Sequence, residues 1–178
     1  MSEPASSSPP RPVRPGQRGV ILLADDEDAV RGLSRRFLEV DGWTVLEATD
    51  GLEALHLIEA LTGRLDLVIT DLNMPRVTGR ELAEVLSVFR PGLPVLGITG
   101  SLSAVTHDRR LPILPKPFTV EGLLQAVRMA CGLSIRLRPP VMENRRRARQ
   151  LRALTTHSAE RPVDLVAAVQ ALRGIGVG

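Results

Sequence analysis

Six polar residues of this 178-residue sequence stand at or just after the ends of short apolar runs. They are Asp25 and Asp26, Asp71 and Asn73, Thr99, and Lys116, the only lysine of the chain. Carboxylates that are brought together repel one another, and a hard divalent cation relieves that repulsion. A small set of oxygen ligands that leaves room for water and phosphate favours Mg²⁺ over Ca²⁺. The residue types therefore predict a magnesium site.

The same residues have the chemistry that phosphoryl transfer needs. A metal ion, an ammonium and a hydroxyl stabilise the phosphoryl oxygens while a carboxylate attacks in line. We predict that Asp71 is the nucleophile, because its strand would lie between the strand that supplies the acidic pair and the strand that supplies Thr99. Lys116 would pair with a carboxylate at rest and with a phosphoryl oxygen after transfer.

Each of these residues also has a purely structural interpretation. The acids at 25–28 could cap a helix, and Asp71 with Asn73 could form an Asx turn. Thr99 could be an ordinary strand residue, and Lys116, between two prolines, a solvated loop charge. Taken singly, the structural interpretation is favoured for the acids at 25–28, for Thr99 and for Lys116, and it equals the functional one for the turn at Asp71. Their joint occurrence at four predicted strand ends favours a site.

Alternating apolar runs and amphipathic stretches from residue 20 onward predict five βα units. We predict strands at 20–25, 44–48, 65–71, 94–99 and 112–115, and helices at 28–40, 51–61, 79–89, 101–110 and 119–130. The helix at 101–110 is expected to be short or irregular, because it is rich in poor helix formers. Such units form a doubly wound α/β fold with a parallel sheet of order 2-1-3-4-5, whose ligand site lies at the carboxyl ends of the strands.

Composition divides the chain into three parts. Residues 1–18 contain five prolines without apolar periodicity, which predicts a disordered arm, and residues 19–132 have the size of one domain. Residues 133–178 carry nine arginines against three acids and predict a basic tail, with a helix at 162–173 bounded by Pro162 and Gly174. The apolar stripe of that helix would dock on the domain or on a second copy; it comprises Val163, Val166, Ala167 and Val169.

Several classes of protein are not expected from this composition. No apolar run exceeds five residues, and the N-terminus lacks the apolar region of a signal peptide, so we expect a cytoplasmic protein without a membrane span. A single cysteine, Cys131, excludes a disulfide framework and any zinc site built on two or more cysteines.

The motifs together resemble the signature of the response-regulator receiver domain of two-component signalling. They are Asp25-Asp26, the run 71–75 with Gly79, Thr99, and Lys116-Pro117-Phe118. The resemblance covers residues 20–131 and implies a flavodoxin-like (βα)5 fold. It implies that Asp71 accepts a phosphoryl group from a histidine kinase or phosphotransfer protein, with Thr99 and Lys116 assisting. It also implies Mg²⁺ ligands from Asp26, the Asp71 side chain and the Asn73 main-chain carbonyl, Asp25 acting mainly through water, and a cis bond before Pro117.

Three features depart from the family pattern. Gly100 replaces a small residue such as alanine, Ile113 replaces an aromatic switch residue, and the segment between Thr99 and Lys116 is several residues shorter than usual. These departures concern the face formed by the fourth helix, fifth strand and fifth helix, where we expect any downstream protein partner. They leave the predicted phosphorylation site unchanged.

The resemblance implies a phosphoacceptor that signals by regulated protein contact, and not a turnover enzyme. The tail contains no recognisable output domain. The sequence does not decide whether the chain forms a homodimer. The alternative is a phosphorylation-controlled nucleic-acid binder that uses the arginine-rich tail. A phosphatase with an aspartyl-phosphate intermediate fits less well. Such enzymes begin with Asp-x-Asp and end with the acidic pair, whereas here the pair comes first and residue 73 is Asn.

Overall fold

A computed structural model describes residues 18–101, 111–133 and 164–175. Five parallel strands form one sheet in the order β2-β1-β3-β4-β5. The strands are β1 (Gly19–Ala24), β2 (Trp43–Ala48), β3 (Leu67–Asp71), β4 (Val95–Thr99) and β5 (Ile113–Pro115). The predicted α/β fold and strand order are confirmed, and each strand bound lies within two residues of its prediction.

The described part of the chain contains five helices. They are α1 (Asp28–Val40), α2 (Gly51–Ala60), α3 (Gly79–Phe89), α4 (Val120–Leu133) and α5 (Leu165–Ile175). None of these described helices combines the length and apolar character needed to cross a membrane. The predicted arm, the predicted helix at 101–110 and the arginine-rich stretch fall almost wholly on residues 1–17, 102–110 and 134–163, which lie outside the described residues.

Side-chain caps set the start of three helices close to the strand ends. The Asp50 carboxylate accepts the amides of Leu52 and Glu53 at 2.8 and 2.9 Å, which fixes the start of α2. Thr78 and Glu81 form a reciprocal capping box at the start of α3. The predicted cap of α4 is present, since Thr119 Oγ1 accepts the amide of Gly122 at 3.1 Å.

The sheet is buried on both faces, which explains why its strands are nearly continuous apolar runs. Leu22 and Val68 point into the core beneath α2 and α3. Their neighbours Leu23 and Ile69 point into the opposite core, to which α1 and α4 contribute. This alternation buries side chains on both faces of the sheet, and the parallel pairing of the strands brings their carboxyl ends to one edge.

Helix α5 packs on the same domain, against α2 and α3. Its buried face has helical spacing of three, four and seven residues, and consists of Leu165, Ala168, Val169 and Leu172. The predicted stripe is therefore right in part: Val169 is buried, and Val166 packs against the same core. Val166 and Ala167 are only partly buried, and Val163 lies outside the described residues. In this structure α5 lies on its own domain, and docking on a second copy stays a prediction.

Candidate functional site

The predicted site residues meet at the carboxyl edge of the sheet. Asp25 and Asp26 follow β1, Asp71 ends β3, Thr99 ends β4, and Lys116 follows β5. Asp71 is central because β1 and β4 flank β3. Asn73 lies two residues further along the loop that leaves β3. The structure therefore brings all six predicted residues to the carboxyl edge of the sheet.

Three carboxylates form a close cluster. Asp25, Asp26 and Asp71 each present an oxygen, and these oxygens lie within 4.8 Å of one another. Asp25 and Asp71 are buried, whereas Asp26 is exposed. Burial raises the pKa of Asp25, and the charge of Asp71 adds to the rise, while the Glu27 amide and Lys116 oppose it. The cluster is an acidic pocket that could bind a metal ion.

Lys116 joins the two buried carboxylates. Its Nζ lies 2.6 Å from Asp71 Oδ2, 3.0 Å from Asp25 Oδ2 and 2.9 Å from Glu27 Oε1. Burial by itself would lower the pKa of Lys116. The close contacts with the three carboxylates, that with Asp71 foremost, outweigh burial and raise this pKa above its usual value. Lys116 is therefore a fixed ammonium at neutral pH, and not a solvated loop charge.

Glu27 is a site residue that sequence reasoning missed. It stands at the N-cap of α1, but its side chain makes no capping hydrogen bond and contacts Lys116 instead. Its signal in the sequence was its place directly after the acidic pair, within a run of four acids. Such a run is typical of a helix cap or of a metal-binding pair.

The residues present fit a divalent cation. Asp25 Oδ2 is buried, and although it lies near Lys116 Nζ, no described donor is aligned to form a hydrogen bond with it. The other oxygen accepts the Glu27 amide at 2.9 Å, and Arg31 Nη1 donates to the Asp25 carbonyl at 2.6 Å. A buried carboxylate oxygen that accepts no hydrogen bond within the described part of the chain, together with two further carboxylates, provides oxygen ligands of the kind that a hard cation prefers.

Asp71 is held by the loop that follows it. The amide of Asn73 donates to Asp71 Oδ1 at 2.8 Å, which is the Asx turn that the sequence offered as a structural alternative. The structural and functional interpretations are compatible, because this turn occupies Oδ1 while Oδ2 contacts Lys116. A Cβ at Gly79 would lie 2.1 Å from the Asp71 carbonyl, so the return of the chain into α3 requires glycine there.

Thr99 presents a buried hydroxyl beside this turn. Its Oγ1 accepts the amide of Ser101 at 3.1 Å and the Asn73 Nδ2 at 3.4 Å. The Lys116 amide donates to the Thr99 carbonyl at 2.7 Å, and the bond between Lys116 and Pro117 is cis, as the resemblance implied. Backbone pairing of β4 and β5 thus places the hydroxyl and the ammonium at one edge.

Comparison with known proteins identifies the class. Residues 21–128 match the sequence model of the response regulator receiver domain. The chain is 35% identical over 113 residues to the sensor kinase CckA of Brucella abortus (strain 2308), a match that covers 61% of this chain and 12% of that protein. It is 40% identical over 113 residues to the response regulator MprA of Mycobacterium sp. (strain KMS), which covers 61% of this chain and 48% of that protein.

Solved structures agree. The crystal structure of the receiver domain from the hybrid histidine kinase CckA has a TM-score of 0.55 and 36% identity, and the match covers 64% of this chain and 99% of that one. The chemotaxis response regulator CheY4 of Vibrio cholerae has a TM-score of 0.56 and 28% identity, covering 63% of this chain and 98% of that one.

The chain therefore belongs to the response regulator receiver domain family of two-component systems. This is a family of signalling proteins and not a classical enzyme family. Receiver domains interact with histidine kinases or phosphotransfer proteins. The chain spans about half of MprA and about one eighth of CckA, so the match concerns a receiver domain and not those whole proteins.

Proposed function

We propose that this chain is a phosphoacceptor of a two-component phosphorelay and that Asp71 receives the phosphoryl group. The observation that carries this proposal is the 2.6 Å contact between Lys116 Nζ and Asp71 Oδ2, within a cluster of three carboxylates. An ammonium at that position pairs with the Asp71 carboxylate and is placed to contact a phosphoryl oxygen after transfer. Membership of the receiver family supports the same assignment.

Four residues would hold Mg²⁺. Asp26, the Asp71 side chain and the Asn73 main-chain carbonyl would be ligands, and Asp25 would act mainly through water. When bound, Mg²⁺ neutralises charge on the phosphoryl oxygens during transfer. The buried Asp25 oxygen that accepts no hydrogen bond from the described residues supports this assignment, because a water molecule at the site could donate to it.

The transfer step conserves atoms and charge. An Asp71 carboxylate oxygen forms a bond to phosphorus while the bond from phosphorus to the donor's nitrogen or oxygen breaks, and the leaving group keeps the electron pair. Lys116 then contacts a phosphoryl oxygen. Thr99 Oγ1 already accepts hydrogen bonds from Ser101 and Asn73, so its own proton is available to a second phosphoryl oxygen.

In this proposal the chain holds one phosphoryl group and is not a turnover enzyme. Its donor is a histidine kinase or a phosphotransfer protein, and it acts in the cytoplasm. A downstream protein would contact the face that includes β5 and α4; the predicted fourth helix of that face, at 101–110, falls almost wholly outside the described residues. The nucleic-acid alternative depends on arginines within residues 134–163, outside the described residues, and it stays a prediction, as do the homodimer and the domain bounds at 18 and 132.

The test is the intact mass of the protein after incubation with acetyl phosphate and Mg²⁺. The parent should gain one phosphoryl group, which is lost at alkaline pH, and the gain should vanish in Asp71→Asn and when the metal is chelated. Asp28→Asn is the matched control, because Asp28 is a neighbouring acid whose side chain is 89% exposed. Equal labelling of the parent and Asp71→Asn would contradict the proposal.

A further inference from the structure

Helix α5 contacts the loop that leaves the proposed phosphoacceptor. Arg173 Nε lies 2.6 Å from Glu81 Oε1, and Arg173 Nη2 donates to the main-chain carbonyl of Arg76. Arg76 lies five residues after Asp71, in the loop 72–78, and Glu81 lies in the first turn of α3. The Arg173 side chain of α5 therefore contacts both the loop 72–78, at Arg76, and the first turn of α3, at Glu81.

The same loop is held from its other side by α2. Arg76 has a φ of 63°, a left-handed conformation that is uncommon for residues other than glycine. Its guanidinium pairs with Asp50, the buried N-cap of α2. A Cβ at Gly51 would lie 2.3 Å from the Val77 carbonyl. The loop is therefore packed between the start of α2 and the end of α5, with little space in which to shift.

The attachment of α5 does not depend on Arg173 alone. The side chains of Leu165, Ala168, Val169 and Leu172 are between 0 and 7% exposed in the groove between α2 and α3. At the opposite end of α5, the Leu165 amide donates to Glu59 Oε1 of α2 at 2.5 Å. An apolar face with a polar contact at each end sets the position of α5 along the groove, and this position delivers Arg173 to the loop.

We propose that α5 is a regulatory helix that acts in cis, with Arg173 as a positioning residue for the Asp71 site. Docked α5 holds the loop 72–78 in the arrangement that Mg²⁺ binding and phosphoryl transfer require. The inference rests on the proposed function of Asp71. Because coupling between two sites is reciprocal, occupation of the Asp71 site also strengthens the docking of α5.

The first test compares labelling rates in the full chain with acetyl phosphate over a range of Mg²⁺ concentrations. Arg173→Ala removes the contacts with the loop and keeps the apolar face, whereas Leu172→Asp undocks the helix. Both variants should be labelled at least about 5-fold more slowly at limiting Mg²⁺, with the half-saturating Mg²⁺ concentration raised. Gln170→Ala, an exposed position on α5, is the matched control and should behave as the parent.

The second test measures hydrogen exchange of the α5 amides. Adding Mg²⁺ with acetyl phosphate should slow exchange in α5 of the parent and leave α5 of Asp71→Asn unchanged. The inference would be overturned if both α5 variants were labelled as fast as the parent or faster, or if hydrogen exchange in α5 of the parent did not change on adding Mg²⁺ with acetyl phosphate. A labelled parent would still uphold the proposed function in either case. A parent that is not labelled at all would overturn the proposed function and the inference with it.

Discussion

Replacing Lys116 by methionine should lower the free energy of unfolding, because it leaves two buried carboxylates without their ammonium. The Lys116 side chain is 14% exposed, and those of Asp25 and Asp71 are 1% and 8% exposed. Removing one partner of a buried ion pair costs about 3–5 kcal/mol. The third partner, Glu27, is 61% exposed and regains water, so we expect the lower end, about 3 kcal/mol at pH 7 without divalent metal.

The loss should depend on pH and on metal. Burial raises the pKa of Asp25, and removing Lys116 deletes two of the causes that oppose the rise. A carboxyl group whose folded-state pKa is raised costs stability above that pKa and recovers it on protonation. The deficit of Lys116→Met is therefore largest at neutral pH and shrinks as the pH falls through the raised pKa of Asp25. Adding Mg²⁺ at pH 7 should restore part of the loss.

The measurement is urea unfolding followed by circular dichroism, in chelator and then in Mg²⁺. Adding Asp25→Asn to Lys116→Met should recover part of the lost stability, because it removes one unpaired buried charge. Arg128→Met is the control, since Arg128 is 59% exposed and pairs with Asp41 at 3.8 Å, and it should change stability by less than about 0.5 kcal/mol. A deficit for Lys116→Met below about 1 kcal/mol, or one independent of pH, would refute the reasoning.

Two further predictions concern the connection between Asp71 and α3. Gly79→Ala should lower the free energy of unfolding by about 2 kcal/mol, because its Cβ would lie 2.1 Å from the Asp71 carbonyl. Gly32→Ala in α1 should raise the free energy of unfolding by about 0.5–1 kcal/mol, because its Cβ would meet no atom within 4 Å apart from the neighbouring residues and backbone of its own helix. Similar effects of the two substitutions in urea unfolding would contradict the reasoning. The hydrogen bond with Arg173 is the largest cause that lowers the pKa of Glu81 from 4.5 to about 2. Stability from this shift is complete above pH 4.5 and is lost as the pH falls toward 2, so the difference in unfolding free energy between parent and Arg173→Ala should shrink over that range; a constant difference would count against the pair.

The strands and their order were predictable because their signals are local. Short runs such as that ending in Asp71 are fully buried and mostly apolar, and the helices between them show one apolar face. Parallel strands bring their carboxyl ends to one edge, so Asp71 and Lys116 could be placed together although 45 residues separate them. Periodicity and topology were sufficient for this part of the site.

The contacts of individual acids were not predictable in the same way. Glu27 has the residue type and position of a helix-capping acid, and its contact with Lys116 depends on the turn in which Asp25 Oδ1 accepts the Glu27 amide. Arg76 adopts its left-handed conformation where its guanidinium pairs with buried Asp50. Both features arise from contacts between segments that no local pattern encodes.

The face of α5 that is buried against α2 and α3 is determined by packing and not by the local sequence pattern. Residues 165–169 are continuously apolar, so two overlapping stripes are compatible with helical periodicity. The stripe that is buried contains Val169, and Arg173 stands one turn further on, against Glu81. Glu81 also accepts the Thr78 amide at 2.9 Å in the capping box of α3. A single carboxylate therefore joins the start of α3 to α5, and this charge pair selects a position along the groove that apolar periodicity alone leaves undetermined.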